Sequence, residues 1–266
     1  MRDLLVDVGN RRDDDDALFR LALALARQHR AHVTGMQVIT LDPLVLSLPE
    51  ALTVLDEEER AALERRDWWL ALCRKHRVNG EWCVDRGFYQ SVMVRRAVFA
   101  DLVLAGLDGL GNLASGGASL LGRSILADSV PVLLVPERSD ISGPPEKILI
   151  AWNGSIESAR AIRASHPLLA KAAEVIVLDG EMGRKSAAPP SLPLREWLKR
   201  RSIHARWLPG AGARASGRHI QSLAEEHGID LIVMGAWGHL RMSEWLLGGI
   251  TRHMLKHSRI PLLLAH

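Results

Sequence analysis

The 266-residue chain contains only two cysteines, Cys73 and Cys83, one tyrosine and three phenylalanines. Two thiols cannot form a disulfide framework and have no partner pair at zinc-ligand spacing, so buried thiols in a reduced compartment are expected. No apolar run reaches the roughly 18 residues that a membrane span requires. The opening, MRDLLVDVGNRRDDDD, meets acidic residues before any signal-peptide core could form, which points to a cytoplasmic protein. Phosphate loops of the form G-x-x-x-x-G-K-[ST] are missing, as are a G-x-G-x-x-G after either opening strand and a G-x-S-x-G elbow. The net charge is only +3, and no block of Lys and Arg with interleaved aromatics is read, so nucleic acid is not an expected partner.

What remains is an ordinary globular composition carrying an internal repeat. Asp101-Leu102-Val103-Leu104-Ala105-Gly106-Leu107-Asp108-Gly109 matches Asp230-Leu231-Ile232-Val233-Met234-Gly235-Ala236-Trp237-Gly238 at an offset of 129 residues. The same offset holds to Leu126/Leu255 and Ser129/Ser258, and each copy then runs through proline into a short apolar strand. Leu4 to Val8 resembles Ile148 to Trp152 in the same way. Two copies of one unit follow, at 1–138 and 139–266, separated by the polar stretch ERSDISGPPE.

Within each copy strand and helix alternate. Strands are predicted at 3–8, 32–39, 80–86, 101–106 and 131–135, then at 147–152, 174–179, 203–208, 230–235 and 260–265. Helices are predicted at 13–29, 50–77, 88–99 and 119–129. Continuous apolar strands such as ILIAW, VIVL and LIVM suit a parallel sheet covered on both faces. The fold class is therefore α/β: two tandem Rossmann-like domains, each a five-stranded parallel open sheet with helices on both faces. Ligands on such sheets sit beyond the carboxyl ends of the strands.

The most informative segment is DLIVMGAWGHLRMSEWLLGGITRHMLKHSRIPLLLA. An apolar strand runs into Gly235, Gly238 follows two residues later, and Gly248-Gly249 open a helix. Small residues between a strand end and a helix start allow backbone N–H groups to approach a phosphate. A side chain at Gly235 is expected to intrude on a bound sugar or base. Thr251 could add a hydroxyl, and Arg241 and Arg252 positive charge. The bland alternative is that these glycines only make tight turns.

The run Gly235-x2-Gly238-x9-Gly248, between an apolar strand and a helix that leads to Pro261, resembles the ATP-binding signature of the universal stress protein family. Ala151-Trp152-Asn153-Gly154-Ser155 is similar to that family's opening turn. The resemblance covers both halves, and its motif is long in the second and degenerate in the first. It implies that Trp152 and Asn153 lie against adenine and that Val177 or Leu178 covers the base. Met234, Gly235, Trp237 and Gly238 would line ribose and phosphates, with Gly248, Gly249, Ile250 and Thr251 at the phosphate tail. ATP or AMP is the implied ligand, with magnesium as a companion that has no dedicated carboxylate in the sequence.

Two positions depart from the family pattern. Asn153 stands where an Asp is usual, and Gly249 where Ser or Thr is usual. In the first half, Gly9 replaces Asn153, and Ser119 and Leu120 replace Gly248 and Gly249. One site per chain, in the second half, is expected. The resemblance further implies a pseudo-dimer in which Val132 to Val135 meets Leu262 to Ala265, with a homodimer as a further assembly. It implies a stress-response regulator with at most slow ATP hydrolysis. The rival readings are an interaction module of the same fold that binds no nucleotide and, more remotely, an adenylyl transferase. Against the latter, neither S-G-G-x-D nor H-x-G-H occurs.

Three further features read as structural. Asp13 to Asp16 is expected to cap the first helix rather than bind a cation. Most of the eight tryptophans are expected to be core, with Trp237 the candidate for contact with a ligand. His253 and His257 share a helix face but have no third ligand. Segment 180–195, rich in proline and small residues, is expected to be a connector or a lid.

Overall fold

A computed structural model describes residues 1–107, 130–180, 193–210, 216–236 and 249–266, leaving aside the side chains of residues 44 and 45. The chain divides into two compact units, Met1–Val130 and Pro131–His266.

In the first unit the strands are β1 (Asp3–Asp7), β2 (His32–Thr40), β3 (Asn79–Gly87) and β4 (Leu102–Gly106). β1 pairs in parallel with β2 and with β4, and β2 with β3. The helices are α1 (Ala17–His29), α2 (Pro43–Leu46), α3 (Ala51–Glu64), α4 (Arg66–Lys75) and α5 (Tyr89–Ala97). Apolar runs explain the strands: Leu4, Leu5 and Val6 are buried, as are Leu102 to Ala105. Only the last carboxylate of the acidic run caps α1. Leu18 N–H donates to Asp16 Oδ1 at 2.8 Å, while Asp13 accepts from Asp15 N–H in the turn before it. Cap and turn together stop a helix from starting at residue 13, where sequence had placed it. Leu18, Leu21 and Leu25 turn one face of α1 inward, as their spacing requires.

The helix expected over 50–77 is broken in two at Arg65 (φ −73°, ψ −9°), which closes α3 and opens α4. Trp69, fully buried on α4, packs edge-on to Phe19 at 5.7 Å and lies 6.1 Å from Trp82. Trp69 thus has the core role expected for tryptophan, while Trp68 and Trp82 are half-buried beside it.

The second unit contains β5 (Val132–Val135), β6 (Lys147–Trp152), β7 (Glu174–Asp179), β8 (Ala205–Pro209), β9 (Leu231–Gly235) and β10 (Leu262–Ala265). Its described helices are α6 (Ile156–Ala164), α7 (His166–Leu169), α8 (Leu194–Lys199), α9 (Gly217–Glu226) and α10 (Gly249–His257). β10, β9, β6, β7 and β8 form a parallel run in that order. β5 joins it antiparallel, with Leu262 opposite Leu134 and Leu264 opposite Val132. The strand that sequence groups with the first repeat thus lies in the second unit. Ile148, Leu149, Ile150, Val233 and Leu263 are fully buried, as strands covered on both faces should be. No described helix is long and apolar enough to cross a membrane.

Candidate functional site

Parallel pairing brings the carboxyl ends of β6, β7 and β9 to one edge of the second sheet. The registers place Trp152 beside Asp179 and Ala151 beside both Leu178 and Met234. Beyond β6 the chain turns through Asn153, Gly154 (φ +74°) and Ser155 into α6. The turn is held from within. Asn153 Oδ1 accepts from Ser155 N–H at 3.1 Å, and Ser155 Oγ accepts from Ser158 N–H at 3.1 Å. Ser155 is therefore the N-cap of α6.

β7 and β8 extend the same edge. Gly180 N–H donates to Trp152 C=O at 2.8 Å, and Gly210 N–H to Asp179 C=O at 2.9 Å. The strand ends are laced backbone to backbone, with Asp179 half-buried among them.

Gly235 has a different physical reason from the one expected. A Cβ built there would lie 2.5 Å from Ser158 N and 2.9 Å from the carbonyl carbon of Glu157. The room that glycine leaves is filled by the first turn of α6, which settles against the end of β9. Gly249, by contrast, is exposed and would place a Cβ in open space, with no heavy atom within 4 Å. It opens α10, which precedes β10 in the chain. The first turn of such a helix carries partial positive charge on its unpaired N–H groups.

The residues singled out in the second half fall into three groups. Trp152, Val177, Leu178, Met234 and Thr251 are buried. Asn153, Gly235, Gly249 and Ile250 are half-buried or exposed at the carboxyl edge or at the start of α10. Trp237, Gly238 and Gly248 lie outside the described residues, as do Arg241, Gly109, Ser119, Leu120, the helix expected at 119–129 and most of segment 180–195. Sequence reasoning missed Asp179, Gly180 and Gly210, although the tripeptide Leu178-Asp179-Gly180 at a strand end was a readable signal.

His253 and His257 do share a face, their rings 4.7 Å apart. Burial, then His257 and Arg218, pulls His253 below the ordinary imidazole value. Among the described residues no group of three His, Cys, Asp or Glu could hold a metal ion. The reading that no Lys/Arg stretch carries interleaved aromatics needs correction: Arg195 to Trp207 holds five Lys/Arg residues and two tryptophans. Arg195 stacks over Trp207 at 3.5 Å and Arg201 over Trp197 at 4.1 Å, so these rings carry the chain's own guanidinium groups.

Comparison with known proteins agrees with this architecture. Residues 213–266 match the model of the universal stress protein family. A universal stress protein of Synechocystis sp. is 28% identical over 146 residues, covering 53% of this chain and 48% of that protein. One from Methanocaldococcus jannaschii is 41% identical over 44 residues, or 16% of this chain and 27% of its own length. The chain thus spans about half, or less, of the curated relatives it matches. The crystal structure of a universal stress protein from Archaeoglobus fulgidus covers 98% of this chain, and 95% of its own, with a TM-score of 0.67 at 15% identity. A putative universal stress protein from Pseudomonas aeruginosa covers 100% of this chain and 93% of its own, with a TM-score of 0.58 at 14% identity. At such identity the two structures show the fold alone. The likeness to the universal stress protein family therefore lies in the sequence of residues 213–266 and in the fold of the whole chain.

Proposed function

We propose that the second unit binds an adenine nucleotide, ATP or AMP, and that the protein acts as a regulator in stress response rather than as a dedicated enzyme. The observation that carries this reading is the shared edge formed by Trp152–Ser155, Asp179–Gly180 and the end of β9. Such an edge, ending in a helix N-terminus, suits a base at the strand ends and a phosphate tail at free N–H groups. Adenine would rest against the Trp152–Asn153 turn and the end of β7, where Asp179 and Gly180 are more open than Val177 and Leu178. Gly235, Trp237 and Gly238 would flank the sugar and phosphates, and Gly248 to Thr251 would receive the tail. Magnesium would accompany ATP through the phosphates. With no nucleophile or general base in this set, turnover would be slow.

A second reading is favoured by one contact. Asn153 Oδ1 already accepts from Ser155 N–H, so its best acceptor is engaged within the turn. On that reading the chain is an interaction module that binds no nucleotide. The antiparallel pairing of β5 with β10 supports a pseudo-dimer of the two repeats, and a homodimer and a cytoplasmic location belong to the same proposal. Equilibrium dialysis of ATP and AMP against the intact chain, with and without magnesium, separates the readings. Binding that is lost in Gly238→Val supports the nucleotide site, whereas no binding in the intact chain leaves the interaction module.

A further inference from the structure

The carboxyl edge of the first unit is not built like its counterpart. Arg65, at the break between α3 and α4, is 7% exposed and sends its guanidinium to the turn after β1. Nη1 donates to Gly9 C=O at 2.6 Å and also to Gln37 Oε1, and Nη2 donates to Arg11 C=O. The group lies 5.2 Å from the Trp68 ring and 5.4 Å from the Trp82 ring. Its acceptors are all uncharged, and among the described residues no carboxylate pairs with it. Burial, with Arg12 close by, pulls it below the ordinary guanidinium value. Burying a cation without a counter-ion is costly, so the acceptors must be positioned to offset that cost.

The registers show which place this is. Gly9 and Arg11 follow β1 as Asn153 and Ser155 follow β6. Asp7 stands opposite Met36, so Gln37 continues β2 where Asp179 ends β7. Arg65 therefore touches the three positions of the first unit that correspond to Asn153, Ser155 and Asp179. A second arginine covers the next position. Arg11, paired with Asp16 at 3.5 Å, lies so close over Gly106 that a Cβ there would overlap its guanidinium. Gly106 is the counterpart of Gly235.

We infer that the first unit's ligand crevice is a guanidinium site filled from within: Arg65 sits where the second unit would hold a base, while Arg11 fills over Gly106 the room that the first turn of α6 takes over Gly235. The first repeat is thereby closed to nucleotide by its own side chains, beyond the loss of its third glycine. This rests on the proposed function for the meaning of the crevice, but not for its occupant.

Two measurements test it separately. In the first, the intact chain is labelled with 8-azido-ATP and the labelled peptides are mapped by mass spectrometry. Labelling confined to 131–266 at a single equivalent is expected. Label in peptides holding Gly9 or Gln37, or a second equivalent, overturns the inference and leaves nucleotide binding standing. If nothing is labelled, nucleotide binding falls, and the second measurement judges the inference alone. There, Arg65→Ala, and Arg65→Met in case the first fails to fold, are melted with low-millimolar methylguanidinium chloride or with sodium chloride at equal ionic strength. Methylguanidinium should raise the Tm of the variant by about 2–4 °C and leave the wild type unchanged. A variant as stable as wild type, or one not rescued, overturns it.

Discussion

Two glycines of the same motif should respond in opposite directions to the same added methyl. In Gly235→Ala the new Cβ stands 2.5 Å from Ser158 N and 2.9 Å from the carbonyl carbon of Glu157. Comfortable carbon contacts begin near 3.5 Å, so the first turn of α6 must retreat by about 1 Å. Both atoms are backbone, and the turn is tied to Ser155 by its cap, so no side-chain rotation relieves the clash. Overpacking of this kind costs about 1–3 kcal/mol. Gly249→Ala meets no heavy atom within 4 Å and stands in the first turn of α10 without positive φ. Restricting the unfolded chain there stabilises by about 0.4–1 kcal/mol. The two variants should therefore differ by roughly 1.5–4 kcal/mol in urea unfolding followed by far-UV circular dichroism, with the wild type between them. A neutral Gly235→Ala would refute the assignment of that glycine to helix packing, and a destabilising Gly249→Ala would refute the open space at the helix start.

Ser155→Ala removes the cap of α6 and should cost about 1 kcal/mol, read from the same urea curves; a neutral result would mean that the cap bond contributes nothing. Asp7→Asn should stabilise the protein at neutral pH. Burial raises the Asp7 carboxyl above its ordinary value although Tyr89 donates to it at 2.6 Å and Arg11 lies near. A group whose folded pKa is raised binds its proton more tightly when folded. Stability is then greatest in acid and falls as pH climbs from 3.8, the ordinary carboxyl value, toward the raised folded value. The substitution should flatten that fall in a pH series of urea midpoints, and an unchanged slope would sink the argument. Cys73, buried and pushed up to about 11, should resist Ellman's reagent at pH 8 until the chain unfolds, and rapid labelling of the native protein at Cys73 would contradict its burial.

The sheets were legible because their strands are apolar throughout. LIVM and ILIAW can only be strands buried on both faces, and β6 and β7 begin and end where their patterns do. Other features follow from demands that periodicity does not carry. The break at Arg65 interrupts LERRDWW, a stretch of unbroken helical character, because the side chain is needed at the turn after β1. Register is also invisible in a strand of uniform apolarity, so Asp179 could not be placed beside Trp152 from sequence. Gly235 was legible as a glycine that mattered, but the backbone that crowds it comes from α6, 77 residues earlier in the chain. The motif announces that something approaches closely. It does not say what.

That ambiguity leaves room for the two units to differ at matching strand ends. The turn after β1 presents the carbonyls of Gly9 and Arg11 at the edge of the core, and carbonyls in such a place must find donors. A bound ligand can supply them, and so can a side chain with several donors at fixed angles. Arginine, with five N–H groups on one planar head, satisfies more acceptors at once than any other residue. In the first unit Arg65 alone donates to three of them, and Arg11 covers the glycine next door. In the second unit the carbonyl of Ser155 accepts from Ser158 Oγ and Ala159 N–H, inside its own helix start, and that of Trp152 accepts from Gly180 N–H across the strand end. The difference in who supplies the donors is the physical difference between the two edges. In the first half Ser119 and Leu120 stand at the positions of Gly248 and Gly249, so the half whose turn is filled by Arg65 is also the half without that glycine pair.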